Sequence, residues 1–199
     1  MTYAVLAVWV AAGMLAAAPS ADTSPAHIAR DATGVVLSWQ SGMRMVSARI
    51  APSAAWSLGQ VACCATGTNT LFAAWEEISP DGTDTDLYAQ HFGADGAPRW
   101  MPRGIVAIKF PGHQRIPAVA ADERGAYVVW QSDSAGIKNN NIWCQRIEPD
   151  GRAAWATPAP VCTAPGDQTH AAIASEPDGQ GIIAWEDRRE VTLIYTASG

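Results

Sequence analysis

From residue 25 onward, short apolar runs ending in tryptophan and a polar residue punctuate the chain. They are Val35-Val36-Leu37-Ser38-Trp39-Gln40, Leu71-Phe72-Ala73-Ala74-Trp75-Glu76, Tyr127-Val128-Val129-Trp130-Gln131 and Ile182-Ile183-Ala184-Trp185-Glu186. Apolar residues at both alternating positions predict strands covered on both faces. Trp75, Trp130 and Trp185 recur at an interval of 55 residues, as do Trp100 and Trp155, Tyr88 and Trp143, and the pairs Asp95-Gly96 and Asp150-Gly151. Several features sharing one period define a tandem repeat.

Each full unit holds four strand-like pieces. The first is short, as in Pro117-Ala118-Val119-Ala120, Ala171-Ala172-Ile173-Ala174 and Pro25-Ala26-His27-Ile28. The second is the run ending in tryptophan. The third, at 142–147 and 87–92, mixes aromatic and polar residues as a strand nearer solvent does. The fourth is Pro160-Val161-Cys162-Thr163 or Ile105-Val106-Ala107-Ile108. Asp-Gly supplies the positive φ of a tight turn, and Pro149 presets the entry to one of them. No stretch after Ala21 keeps a helical period.

Four short antiparallel strands in a unit of about 50 residues predict an all-β fold, the blade of a β-propeller. The recurring rings Trp39, Trp75, Trp100, Trp130, Trp143, Trp155, Trp185 and Tyr88 are then structural, filling the wedge between neighbouring sheets. One such ring buries about 150–250 Å², worth roughly 4–6 kcal/mol as an upper bound. The units run approximately over 25–64, 65–114, 115–168 and 169–199, about three and a half blades. Only 36 residues separate Trp39 from Trp75, so roughly one strand is missing there. Val61-Ala62-Cys63-Cys64 fits either the outer strand of the first unit or the inner strand of the second.

The first 21 residues read differently. Residues 4–18 are apolar, small residues follow at Ala18-Pro19-Ser20-Ala21, and the first charged side chain is Asp22. That is the layout of a secretory signal, although the only positive charge ahead of the apolar run is the α-amino group. The run is shorter than the ~20 residues of a membrane span. Cleavage after Ser20 or after Ala18 fits the small-residue rule, and a buried N-terminal helix is the competing reading. Residues 22–199 are left as the folded part, exported to the extracellular space, the cell surface or the periplasm.

The elements Trp185-Glu186-Asp187-Arg188-Arg189, Leu87-Tyr88-Ala89-Gln90, Trp143-Cys144-Gln145-Arg146-Ile147 and 161–168, ending in Gly166-Asp167-Gln168, resemble a repeat of secreted bacterial proteins. There, units of the form W-x-D-x-R, I-Y-A-Q-R-I, D-G, W and G-D-Q build a β-propeller, often within a larger surface protein. The resemblance spans about 25–199 and is strongest over 71–189. The first unit departs from it, with Val46-Ser47-Ala48-Arg49-Ile50 in place of the aromatic-Ala-Gln element. It implies a fold and a secreted location, not a catalytic mechanism. Propellers close with about four to eight blades. Three and a half units therefore predict an N-terminal part of a longer protein, or self-association through an open edge that exposes apolar faces.

Composition narrows the function. At 199 residues with 48% apolar and 16% charged residues, the chain supports one substantial core. A net charge of −6 argues against nucleic acid, which selects a basic stripe. The four cysteines hint at disulfides in an exported chain. Cys63 and Cys162, however, follow Trp56 and Trp155 by the same seven residues, in different units, and Cys144 takes the small-residue slot of Ala89. Buried free thiols are the expectation. His27, His91, His113 and His170 lack metal-ligand spacing.

Residues 79–86 form the densest acidic loop, but without EF-hand spacing, and the counterpart at 134–141 replaces Asp84 and Asp86 by Asn139 and Asn141. No metal or cofactor is expected. Glu76, Glu186 and Asp187 offer carboxylates of the kind that serve in glycoside hydrolysis, yet they recur with the repeat, which favours structure. Neither the S-x-D-x-G-x-T-W loop of sialidase-type propellers nor G-x-S-x-G, H-E-x-x-H or a phosphate-binding glycine loop is present. The sequence therefore predicts an exported binding or scaffold module with a protein or glycan partner and no catalytic residues. The rivals are a glycan-cleaving, sialidase-like propeller and a purely structural spacer.

Overall fold

The structure is a computed structural model that describes residues 26–53, 55–122, 124–133, 139–176 and 179–189. Residues 1–21, read above as a secretory signal, and residues 134–138 of the second polar loop lie outside the described residues. Thirteen strands form four antiparallel sheets, and no helix occurs among the described residues. None of the four sheets closes on itself.

The first sheet is β1 (His27–Asp31), β2 (Gly34–Ser41) and β3 (Arg44–Ile50). The second is β4 (Ser57–Ala65), β5 (Leu71–Ile78), β6 (Thr85–Phe92) and β7 (Ile105–Ile108). The third is β8 (Gln114–Asp122), β9 (Gly125–Ser132), β10 (Asn141–Ile147) and β11 (Ala159–Cys162). The fourth shows β12 (Asp167–Ser175) and β13 (Gly181–Arg188). Strands follow one another across each sheet in chain order. The stretch 61–64 pairs with β5, so it opens the second sheet, and the first sheet has three strands.

Neighbouring sheets pack face to face. Val35, Leu37 and Trp39 of β2 share one core with Leu71, Ala73 and Trp75 of β5. Ala74, Leu87 and Ala89 meet Val128, Trp130 and Ile147 in the next. Val129, Ile142 and Cys144 meet Ala171 and Ile173 in the third, with Trp155 and Trp185 packed against it. The strands β5 and β9 are buried along nearly their whole length, as their two-sided apolar pattern predicts.

Strand β2 behaves otherwise. Its burial alternates, with Val35, Leu37 and Trp39 inside, so the expectation of cover on both faces does not hold there. In the second, third and fourth sheets the tryptophan of the middle run points toward the preceding sheet. Trp39 points instead toward the following one, donating its indole N–H to Asn69 O at 2.9 Å and lying 6.3 Å from the Phe92 ring. The first sheet is thus turned over relative to the rest. Its other face carries the Ser38–Ser47 hydroxyl pair and the Asp31–Arg49 ion pair at 2.8 Å. That face also carries Met45, which lies opposite Gln40 and is 63% exposed.

The Asp-Gly turns have a second reason besides their positive φ. A Cβ on Gly151 (φ 87°) would lie 3.2 Å from the Trp100 ring, whose N–H donates to Pro149 O at 2.9 Å. Gly96 likewise lies against Ser47 of the first sheet, so at these two turns glycine permits both the turn and the contact.

Candidate functional site

The side chains that join one sheet to the next come from the residue after the repeat tryptophan. The first strand of each four-stranded sheet carries a β-bulge, between Leu58 and Val61 in β4 and between Arg115 and Ala118 in β8; β12 has the same irregularity between Thr169 and Ala172. Ile116 and His170 occupy matching places in these bulges at φ 51° and 52°, a conformation costly for a β-branched residue. Their amides leave the ladder and need acceptors. Glu76 Oε1 takes the Ile116 N–H at 2.7 Å, and Gln131 Oε1 takes the His170 N–H at 3.2 Å.

Glu76 has a second duty, accepting the Gln60 N–H of its own sheet at 2.9 Å through Oε2. The inverted first sheet leaves Gln40 directed elsewhere, to Gly42 O, so the carboxylate serves two bulges where Gln131 serves one. Gly59 makes room for it, since a Cβ there would lie 2.0 Å from Glu76 Oε2.

The Gly-x-Gln element works beside these acceptors. Asp167 Oδ1 accepts the Asn140 amide at 2.9 Å, and one period earlier His113 Nδ1 meets Thr85 Oγ1 at 3.0 Å. Gln114 and Gln168, both fully buried, donate to Gly112 O and Gly166 O and close the turns behind them. The Asn140 hydrogen bonds hold the Asp167 carboxyl below the usual carboxylate range. These polar positions are repeated because the contact between sheets is repeated.

One acidic pair departs from the pattern. Glu77 of β5 and Asp86 of β6 stand directly opposite each other and are both 1% exposed. The third sheet has Ser132 opposite Asn141 at this place. Ser53 Oγ and the Trp75 indole N–H donate to Glu77. Lys109 Nζ reaches Asp86 Oδ2 at 3.1 Å, while Oδ1 has no partner. Burial pushes the Asp86 carboxyl up against the pull of Lys109, and Asp84 and Glu77 add to the push. Like charges directly across a ladder destabilise it, so this pair is the strongest departure from purely structural chemistry.

A cleft of about 220 Å³ opens beside it, between the end of β3 and the turn before β7. Trp75, Gln90, Phe92 and Arg103 are among the residues that line it. Glu77 does not line it; the connection runs through Trp75, which lines the cleft and points its N–H toward Glu77 at 3.4 Å.

The rings singled out by the period take distinct places. Trp39, Trp75 and Trp130 are at most 2% exposed, and Tyr88 stacks at 6.2 Å from Trp75. Trp143 lies across the ladder from Trp130, while Trp100, Trp155 and Trp185 are half-buried between sheets. The indole N–H groups of Trp130, Trp143 and Trp185 are buried without a partner, so those rings contribute as apolar surface. All four cysteines are free, and burial pushes the Cys63 and Cys144 thiols up to about 12.

In the acidic loop, Asp81 accepts from Ser79 and Thr83, which draws its carboxyl down to about 2. Among the described residues no group of three or more His, Cys, Asp or Glu is placed to share a metal ion. His91 stacks on Phe72 at 4.1 Å, its pKa lowered first by burial and then by Arg99.

The sequence pattern singled out Glu76 and Gln131 as structural but gave no sign of their partners. The sequence shows only the polar residue fixed after each tryptophan; the bulge amides it serves appear only in the strand pairing.

No protein-family model and no curated protein matches the chain. Among solved structures, the endo-arabinase from Bacteroides thetaiotaomicron is similar over 92% of this chain and 80% of that chain, with 13% identity and a TM-score of 0.41. So loose a likeness says nothing of activity. Among the described residues no helix is long and apolar enough to cross a membrane.

Proposed function

We propose that this chain is a non-catalytic binding or scaffold module of an exported protein, its sheets being units of a β-propeller of the W-x-D-x-R type. One observation carries the reading: the carboxylate and amide that recur after the tryptophan are engaged as acceptors for bulge amides of the next sheet. A residue held by two backbone donors is positioned to join sheets, not to shuttle protons. The partner is a protein or glycan, and the cleft lined by Trp75, Gln90, Phe92 and Arg103 is the surface it would use. The test is to pass polysaccharides and host-matrix proteins over the immobilised chain while measuring release of reducing ends. Retention without release supports the module; release of reducing ends refutes it.

The second reading, a glycan-cleaving hydrolase, is favoured by the Glu77–Asp86 pair beside that cleft. It requires reducing-end release that disappears in both Glu77→Gln and Asp86→Asn while each variant keeps a cooperative melt. Release that survives both substitutions excludes the pair.

A further inference from the structure

Repeated polar positions join the sheets, so chemistry aimed at a ligand belongs where a sheet breaks the repeat. Around Tyr88 the second sheet differs from the third at four charged positions. Glu77 and Asp86 stand where the third sheet has Ser132 and Asn141. Arg103 lies two residues before β7 and Lys109 one after it, and the same places beside β11 hold Thr157 and Thr163. All four act on one group. Burial raises the Tyr88 hydroxyl, Glu77 and Asp86 add to the shift, and Lys109 and Arg103 oppose it. Tyr88 in turn stacks on Trp75, which lines the cleft together with Arg103.

The two signs of charge are not equally accessible. Glu77 and Asp86 are 1% exposed and already accept from Ser53, the Trp75 indole and Lys109. The Lys109 side chain is 67% exposed, held at 3.1 Å from Asp86, and Arg103 is exposed and makes no ion pair among the described residues. No acidic residue lines the cleft. A solute therefore meets the two cations and the phenol, not the carboxylates. We propose that Arg103 and Lys109, together with the Tyr88 hydroxyl, bind the anionic substituent of an acidic sugar, a carboxylate or a sulfate ester, whose ring enters the cleft. This assignment rests on the binding-module reading above and names the class of its glycan. A guanidinium grips such an anion through two parallel hydrogen bonds, and an ammonium adds a point charge. The cleft, about 220 Å³, is smaller than the ~300–1,000 Å³ of sites that enclose a drug-sized ligand, so it takes a single ring-sized unit. Pro52, Trp75, Phe92 and Pro102 in its lining offer apolar surface to the faces of that ring, which an acidic peptide side chain would leave unused.

Titration calorimetry of the intact chain tests the proposal with four probes: trigalacturonate, its neutral galactose counterpart, a sulfated form of that counterpart, and triglutamate. At least one of the two acidic sugars should bind about tenfold or more tightly than the neutral one, and more weakly as NaCl is raised. Whichever of the two binds identifies the anion. Arg103→Thr and Lys109→Thr, which install the residues of the third sheet, should each weaken that binding by about tenfold and leave the thermal melt in place, since both side chains are exposed. Equal binding of the neutral sugar overturns the proposal, as does acidic-sugar binding indifferent to both substitutions, and in either case the binding module stands. Triglutamate binding as tightly as the sugars also overturns it, and assigns the site to acidic peptides. Binding of neither acidic sugar overturns it outright, whatever protein the chain retains. Release of reducing ends from an acidic sugar, with binding still dependent on Arg103, would leave this site standing and refute the non-catalytic reading instead.

Discussion

Replacing Glu76 by alanine removes two acceptors at once. The carboxylate takes the Ile116 amide at 2.7 Å and the Gln60 amide at 2.9 Å, and the residue is 5% exposed. A hydrogen bond to a charged group is worth about 1.5–3 kcal/mol, and a donor left without a partner in the interior loses most of that. The expected loss is therefore about 3–6 kcal/mol, a large part of the 5–15 kcal/mol that a domain of this size has. Glu76→Gln keeps one oxygen and can serve one bulge, so about half the loss is expected. The same repeat position supplies its own control. Glu186 follows Trp185 as Glu76 follows Trp75, but its side chain is 53% exposed and its ion pairs with His170 and Arg188 lie at the surface, so Glu186→Ala should change stability by less than about 0.5 kcal/mol. Urea unfolding monitored by tryptophan fluorescence reads all three, with midpoints shifting at constant slope. Equal shifts for Glu76→Ala and Glu186→Ala, or a Glu76→Gln indistinguishable from the parent, would refute the reasoning.

Further outcomes follow from other parts of the stack. Trp130→Ala, at a ring 1% exposed, should cost about 3–5 kcal/mol, whereas Trp185→Ala should cost clearly less because that ring is half-buried; the same urea curves decide. Asp86 has a folded pKa raised by burial, so its contribution is full below its unfolded value and is lost as pH rises through the folded one. Asp86→Asn, the residue found at the matching Asn141, should therefore melt increasingly higher than the parent as pH rises from about 4 to 7; a difference that shrinks with pH contradicts this. Cys63 and Cys144, with thiols near 12, should resist iodoacetamide at pH 8 in the folded chain and react on unfolding; rapid labelling of the native protein would contradict their burial.

The strands and turns were legible because their signals are local. A run such as 126–131 carries its own pattern, and Asp150-Gly151 marks its own turn. The inversion of the first sheet was also written in the chain, in the alternation of Val35, Leu37 and Trp39 with Val36, Ser38 and Gln40. Reading that run as covered on both sides, by analogy with β9, hid it: Ser38 stands where the covered runs have Ala74 and Val129. The acceptors between sheets were out of reach for a different reason. Glu76 and Ile116 are 40 residues apart in the chain, and the need for an acceptor arises only once the bulge takes the Ile116 amide out of the ladder. No periodicity reports a bulge. The Glu77–Asp86 pair was missed because their opposition depends on the β5–β6 register, which the spacing of the carboxylates alone does not fix.

The central claim is that the repeated polar residues hold one sheet to the next through bulge amides. Amide hydrogen exchange at Ile116 and His170, resolved by NMR in the intact chain, tests it most directly. Neither residue belongs to the register of its strand pair, so an amide left to solvent would exchange at the rate of an open loop. The account predicts protection of both amides comparable to that of the neighbouring ladder residues Ala118 and Ala172. Exchange at loop rates at both positions would show that Glu76 and Gln131 do not hold the sheets together.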